Sequence, residues 1–326
     1  MKNSISAWID GRAVFEGAGA PLPGAGLVDF DGERAGAASV YDLAVQRGDG
    51  IFEATSVWQG HPLSLIPHLA RLQRSADMLD LPRIRTDVLA EAVGQVIAAY
   101  RERFAPGPED EQMLKILVSR GSDPQLTGGA QLGPGVPHVW AIVDHRADDP
   151  RHPVPQTLVK LPKGVSVDAP DQVPWMLWGA KTLSYAMNKA AYRECDRRGA
   201  NNAIFYSTEG IMLECPTSSL VFRLGDRFFT PVPTLGILYG TSQRELFSFL
   251  RGQGYECGYG RYPVDILDTA DAIWTMGGSN VHPVTHLDGR EIRYDEELAV
   301  AANLNAREHR DEVTAASMEE WDAVAR

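Results

Sequence analysis

Apolar and polar positions alternate along the chain in a way that predicts strands and helices in two successive blocks. Residues 7–15 read as two short strands around Asp10-Gly11, a hairpin turn signal. Residues 17–36 are rich in Gly, Ala and Pro and read as a loop. Residues 50–57 alternate as a strand, and Gln59-Gly60 turns the chain back into 62–65. Pro67 then starts a helix whose apolar stripe is Leu69, Leu72, Ala76 and Leu79. A second helix is expected over 87–104, and buried strands over 114–119 and 138–143. The loop between those strands, 121–135, holds five glycines and two prolines. A connection that long inside a compact domain is mobile or functional.

Residues 144–155 are polar and proline-rich, and 146–155 is taken as an interdomain linker. It separates a smaller N-terminal α+β domain, 1–145, from a larger domain, 156–326. The second block predicts strands near 157–160 and 165–167, then a helix over 184–198 ending at Gly199. Further strands are expected at 203–206, 211–213, 220–224 and 272–275. A helix over 241–250 follows Gly240 directly, and 284–292 is a hairpin around Asp288-Gly289. From Asp295 onward the chain reads as helical, then acidic and frayed.

Composition narrows the class. The chain of 326 residues is 44% hydrophobic and 23% charged, as in a soluble globular protein of two domains. No stretch approaches the roughly 18 consecutive apolar residues of a membrane helix, and residues 1–6 lack a signal-peptide core. The net charge of −12 argues against nucleic acid or an anionic membrane as partner. Three widely spaced cysteines suggest free thiols in a reducing cytoplasm, with no metal site.

Several residues sit oddly for purely structural roles. Lys181 is expected at a helix start, where the dipole disfavours a cation, after the apolar approach Trp175-Met176-Leu177-Trp178. Glu214 falls in an expected strand between Leu213 and Cys215. Gly240-Thr241-Ser242 opens a helix, whose N–H groups and dipole suit a phosphate. Arg47 and Arg120 are the best-placed arginines for substrate carboxylates.

Read together and in order, RGDGIFEA (47–54), HLARL (68–72), AKTLSYAMN (180–188), EGIMLECPTS (209–218) and GTSQ (240–243) resemble the class IV, or fold type IV, pyridoxal-phosphate enzymes. The resemblance implies a two-domain mixed α/β (α+β) fold, similar to D-amino-acid aminotransferases. It also implies pyridoxal 5′-phosphate as cofactor, a small-molecule amine or amino-acid substrate and a homodimer. Lys181 would carry the cofactor covalently and shuttle a proton, and Glu214 would keep the pyridine nitrogen protonated. Arg71, Thr241 and Ser242 would hold the phosphate. Gly277 and Gly278 would touch it through backbone only, Gly277 standing where the family has a threonine. Tyr185 would reach the pyridine O3′ or the substrate. Gln125 and Thr127 stand where D-amino-acid aminotransferases carry Arg and His, which argues against that activity. The 180–222 region and GTSQ most resemble aminodeoxychorismate lyases, which form 4-aminobenzoate and pyruvate. Thr55 or Thr182 would assist the leaving group there. An aminotransferase is the alternative.

Overall fold

The computed structural model describes residues 3–20, 26–30, 38–123 and 136–324. The chain forms two compact units. The first comprises Met1–Ala147 and Ala180–Tyr185, the second Asp148–Gly179 and Ala186–Arg326. The chain passes from the first unit to the second at 147–148 and returns for six residues at 180–185. The lysine segment thus belongs to the first unit, whereas the sequence reading put it in the C-terminal domain.

The first unit is built on a six-stranded antiparallel sheet. Its strands are β1 (Ser4–Ile9), β2 (Val28–Asp29), β3 (Gly50–Trp58), β4 (His61–Pro62), β5 (Gln112–Ser119) and β6 (His138–His145), in the order β2-β1-β6-β5-β3-β4. The hairpin expected at Asp10-Gly11 does not form. Asp10 accepts the N–H of Arg12 at 3.0 Å and caps a short helix, α1 (Gly11–Val14), because a carboxylate satisfies a free N–H of a helical first turn better than a tight β-turn would. Helix α2 (Leu43–Arg47) is capped the same way by Asp42.

Helix α3 (Leu65–Met78) has Pro67 at its third position, where the missing N–H costs no helical bond. Its stripe is buried as the 3.6-residue period requires: Leu72 and Ala76 are fully covered, Leu69 and Leu79 nearly so. Helix α4 (Thr86–Phe104) packs on β1 and β6 through a buried face that includes Leu89, Val93 and Val96.

The second unit holds a mixed eight-stranded sheet. The strands are β7 (Gln156–Pro162), β8 (Asn202–Tyr206), β9 (Ser219–Leu224), β10 (Arg227–Pro231), β11 (Glu256–Gly260), β12 (Ala272–Gly277), β13 (Asn280–Leu287) and β14 (Arg290–Glu291). Their order is β11-β10-β9-β12-β13-β7-β8, with β14 on β13. Helices α5 (Ala169–Gln172), α6 (Ala186–Arg197), α7 (Thr241–Gly252), α8 (Glu296–Glu308) and α9 (Arg310–Val324) complete it. Both faces of the central strands are covered. On β9, Leu220 and Phe222 join a cluster with Ile204, Met212 and Ile273. Val221 points the other way, to Leu246, Phe247, Leu250 and Trp274. Burial on both faces explains why these strands read as continuous apolar runs.

Three local expectations change. Residues 165–167 form no strand, and 211–213 make only isolated bridges, to Tyr206 and Pro263. The acidic C-terminus is not frayed but forms α8 and α9, with α9 packed on α7. Among the described residues no helix is long and apolar enough to cross a membrane, and no acidic, His and Cys cluster is arranged for a metal.

Candidate active site

In the first unit the site is organised by β3. The two-residue β4 pairs only with Val57 and Trp58, so the backbone edge at the start of β3 needs another partner. Residues 181–183 supply it. Phe52 N–H donates to the Lys181 carbonyl at 3.0 Å, and Leu183 N–H donates to the Gly50 carbonyl at 2.8 Å. Lys181 is therefore in an extended segment, and its helix, α6, starts only at Ala186. Position 50 must be glycine for this approach: a Cβ there would lie 2.4 Å from the Val118 carbonyl oxygen and 2.8 Å from Leu183.

Lys181 is held from two sides. Its N–H donates to Ser75 Oγ of α3 at 3.1 Å. Its Nζ lies 4.3 Å from the centroid of the Phe52 ring, within cation–π range. Tyr185 meets the same ring edge-on at 5.3 Å between centroids. Phe52 thus brings two of the predicted residues together.

One residue along, Glu53 does the same for Arg71. Arg71 Nε and Nη2 donate to Glu53 Oε1 and Oε2, each at 2.7 Å, a bidentate pair. His68 Nδ1 lies 2.7 Å from Glu53 Oε2. Glu53 is only 1% exposed and Arg71 5%. Burial opposes ionisation of Glu53, but the Arg71 guanidinium and then the His68 ring outweigh it and hold the carboxyl well below the usual range. His68, Arg71 and Ser75 are spaced along one face of α3. Glu53, His68 and Ser75 were missed by sequence reasoning. The available signal was a lone charge in the otherwise uncharged strand IFEATSVW.

The two arginines proposed for substrate are engaged elsewhere. Arg120 Nε donates to Asp49 Oδ2 at 2.7 Å and its Nη2 to the Leu79 carbonyl at 2.5 Å. Arg47 is exposed at the end of α2, its Nη1 donating to the Gln46 carbonyl at 3.2 Å. Thr55 is buried and donates to the Leu63 carbonyl at 2.7 Å. Thr182 faces β3 as the bridge partner of Ile51. Gln125 and Thr127 lie outside the described residues.

In the second unit Glu214 is not within a strand; it follows the bridged residues 211–212. Its carbonyl accepts the Phe205 N–H at 3.0 Å, which anchors it to the end of β8. Its Oε2 accepts the Leu238 N–H at 3.0 Å, and Lys163 Nζ lies 3.5 Å from Oε1. The side chains of Glu214 and Lys163 are 24% and 27% exposed. Lys163 had no sequence signal. Glu214, Ser219, Ile237, Tyr239, Gly240 and Gln243 line one small cavity of about water size, so residue 214 and the start of α7 are neighbours. Gly240 contributes no side-chain cap to α7, leaving its positive end for an anion. Thr241 and Ser242 are buried there.

The turn 277–280 is brought to the same helix start. Gly278 and Ser279 have φ of +60° and +67° between the paired Gly277 and Asn280, the two positive values of a type I′ hairpin turn. The Ser279 N–H donates to Ser242 Oγ at 3.2 Å.

The chain belongs to the class IV aminotransferase family, which matches residues 50–287. Enzymes of this family use pyridoxal 5′-phosphate, and this chain is such an enzyme. It is 34% identical, over 77% of its length and 86% of the relative's, to a bifunctional aminodeoxychorismate lyase / D-amino acid transaminase of Mycobacterium tuberculosis. A fold IV transaminase from Curtobacterium pusillum superposes with a TM-score of 0.84 at 35% identity, covering 95% of this chain and 99% of that one. A hypothetical aminotransferase from Mycobacterium tuberculosis in its PLP-bound form superposes with a TM-score of 0.73 at 30% identity, covering 92% and 98%. Each unit by itself carries donor types that suit such a cofactor: amine and guanidinium in the first, a carboxylate and a helix start without a side-chain cap in the second.

Proposed function

We propose that this chain is an aminodeoxychorismate lyase, converting 4-amino-4-deoxychorismate into 4-aminobenzoate and pyruvate. The observation that carries the reading is the 34% identity, across 77% of the chain, to a relative whose name includes that activity. When bound, the cofactor supplies an electron sink for the electrons of the broken substrate C–H bond.

The chain's residues do the rest. Lys181 is the residue that would hold the cofactor covalently. Its Nζ, once free, takes the proton from the ring carbon that bears the nitrogen. The face of Phe52, 4.3 Å away, favours the ammonium that forms when Nζ has taken the proton. Glu214 accepts a hydrogen bond from the pyridine N–H and keeps that nitrogen protonated. Arg71, fixed by Glu53, and the start of α7 at Thr241 and Ser242 hold the phosphate, with Gly277 and Gly278 contributing backbone. Tyr185 orients O3′ or the substrate. Arg47 and Arg120 bind substrate carboxylates. For this Arg120 exchanges Asp49, a one-third-exposed partner worth about 0–1 kcal/mol, together with the Leu79 carbonyl. The active species is a homodimer, and sedimentation at twice the chain mass is the expected result.

A second reading is an aminotransferase, favoured by the likeness to the Curtobacterium pusillum transaminase at a TM-score of 0.84. There Lys181 would return the same proton to C4′ of the cofactor. Holoenzyme given aminodeoxychorismate without any keto acid separates the two. Pyruvate formed over many turnovers supports the lyase. No pyruvate, with amino-group transfer only when a keto acid is added, supports the aminotransferase and contradicts the lyase.

A further inference from the structure

The C-terminal helix α9 lies beyond the family's matched region of 50–287. It is nevertheless fastened to the entry of α7 through Tyr239, Arg244 and, by way of Tyr259, Gln243. Arg244, in the first turn of α7, is fully buried. Its Nη1 donates to the Ser317 carbonyl of α9 at 3.0 Å and its Nε to the Gly240 carbonyl at 3.4 Å. Its guanidinium lies beside two rings, 4.8 Å from the centroid of Tyr239 and 4.7 Å from that of Trp321 of α9. Those two rings also stack on one another at 5.2 Å. The Tyr239 hydroxyl donates to the Glu320 carbonyl at 3.2 Å.

A second link runs through Tyr259 of β11. Its hydroxyl donates to Glu320 Oε1 at 2.7 Å and lies 3.1 Å from Gln243 Nε2. Arg251 Nη1 closes on the same Glu320 oxygen at 2.9 Å. Burial first, then the Glu320 carboxylate, push the Tyr259 phenol far above its ordinary value, and burial takes Tyr239 up to about 12. Both remain phenols, and so donors, across the neutral range.

Tyr239, Gly240 and Gln243 are also walls of the cavity that contains Glu214. The geometry points to α9 as a brace that positions the start of α7 for an anionic group, with Trp321, Glu320 and Arg244 as positioning residues. This rests on the reading that the start of α7 holds the cofactor phosphate. Desolvated cation–π contacts are worth enough to fix such a segment. Without Trp321, Arg244 loses one of its two flanking rings and Tyr239 its stacking partner, so residues 239–243 lose their fixed direction.

The test compares two ligands of the full-length apoprotein by equilibrium titration: pyridoxal 5′-phosphate and pyridoxal, which lacks the phosphate. Wild type should prefer the phosphorylated ligand. Trp321→Ala should weaken pyridoxal 5′-phosphate binding about tenfold while leaving pyridoxal within about twofold, and Trp321→Phe should restore most of the loss. A general loss of structure would weaken both ligands alike. Should Trp321→Ala fail to fold, Tyr259→Phe, which deletes only the hydroxyl joining Gln243 to Glu320, should give a smaller loss of the same phosphate-specific kind. An unchanged ratio of the two affinities in whichever variant folds, or equal losses for both ligands, would overturn the brace. A wild type that shows no preference for the phosphorylated ligand would instead overturn the assignment of the phosphate to α7, and the brace with it.

Discussion

The two acidic residues at the centre of the two units are held in opposite ways. Glu53 is sealed, bidentate to Arg71 and joined to His68, so its charge is consumed in fixing the arginine. Glu214 is a quarter exposed, opens on a cavity, and meets one backbone N–H at 3.0 Å and a lysine at 3.5 Å. A sealed carboxylate can position a neighbour but cannot answer to a ligand. A carboxylate on a pocket wall, lightly held, can take a new donor. Removing the first should therefore show in folding, and removing the second in chemistry.

The largest expected effect lies on the lysine that neither carboxylate replaces. Lys181→Ala should lower turnover by at least about four orders of magnitude, since both the covalent link and the proton carrier are lost. Its melting temperature without cofactor should stay within a few degrees of wild type, because the Lys181 side chain is only half-buried and truncation there opens no core cavity. Steady-state assays and a thermal melt of the apoprotein check both halves.

Glu53→Ala should cost about 3–5 kcal/mol, the usual penalty for leaving a buried guanidinium without its partner; urea unfolding measures it. The same residue sets a pH dependence. Its carboxyl is held below the ordinary range in the folded protein, so its contribution is fully present above the unfolded value near pH 4. It is lost as pH falls toward the folded value. Stability should be flat from pH 7 to about 5 on this account and fall below about 4, and the Glu53→Gln variant should lack that part of the fall.

Glu214→Gln should reverse the pattern. Turnover should drop about a hundredfold, with unfolding free energy within about 1 kcal/mol of wild type. A large loss of stability with turnover intact would place Glu214 with Glu53 as a structural residue and erase the contrast. The smallest effect is expected at Arg47, where exposure and a bond to its neighbour's carbonyl leave little to lose. Arg47→Ala should change stability by less than about 0.5 kcal/mol while raising substrate KM, and an unchanged KM would remove it as a substrate contact.

The sequence revealed this arrangement unevenly, for physical reasons. The stripe of α3 was legible because burial on one helix face follows a fixed period, and Leu69, Leu72 and Ala76 obey it. The lysine's importance was legible from its neighbours, but its local structure was not. Whether 181–183 extends or coils is decided by an open strand edge about 130 residues earlier, at Gly50 and Phe52. Glu53 looked like one more charge because its partners lie 15 and 18 positions away, beyond any local period. The tail was misread as frayed because its docking rests on a few side chains, Ser317, Glu320 and Trp321, in an otherwise acidic helix. The hairpin expected at Asp10 failed because the same Asp-Gly pair serves equally as a helix cap and first turn.

The most direct test of the central claim is borohydride reduction of the cofactor-loaded protein followed by peptide mass mapping. Lys181 and Lys163 are the two lysines to compare, the first over the Phe52 ring and the second beside Glu214. The account predicts that the cofactor is trapped on the peptide containing Lys181 and that trapping disappears in Lys181→Ala. Trapping on the Lys163 peptide, or equal trapping in Lys181→Ala, would contradict it.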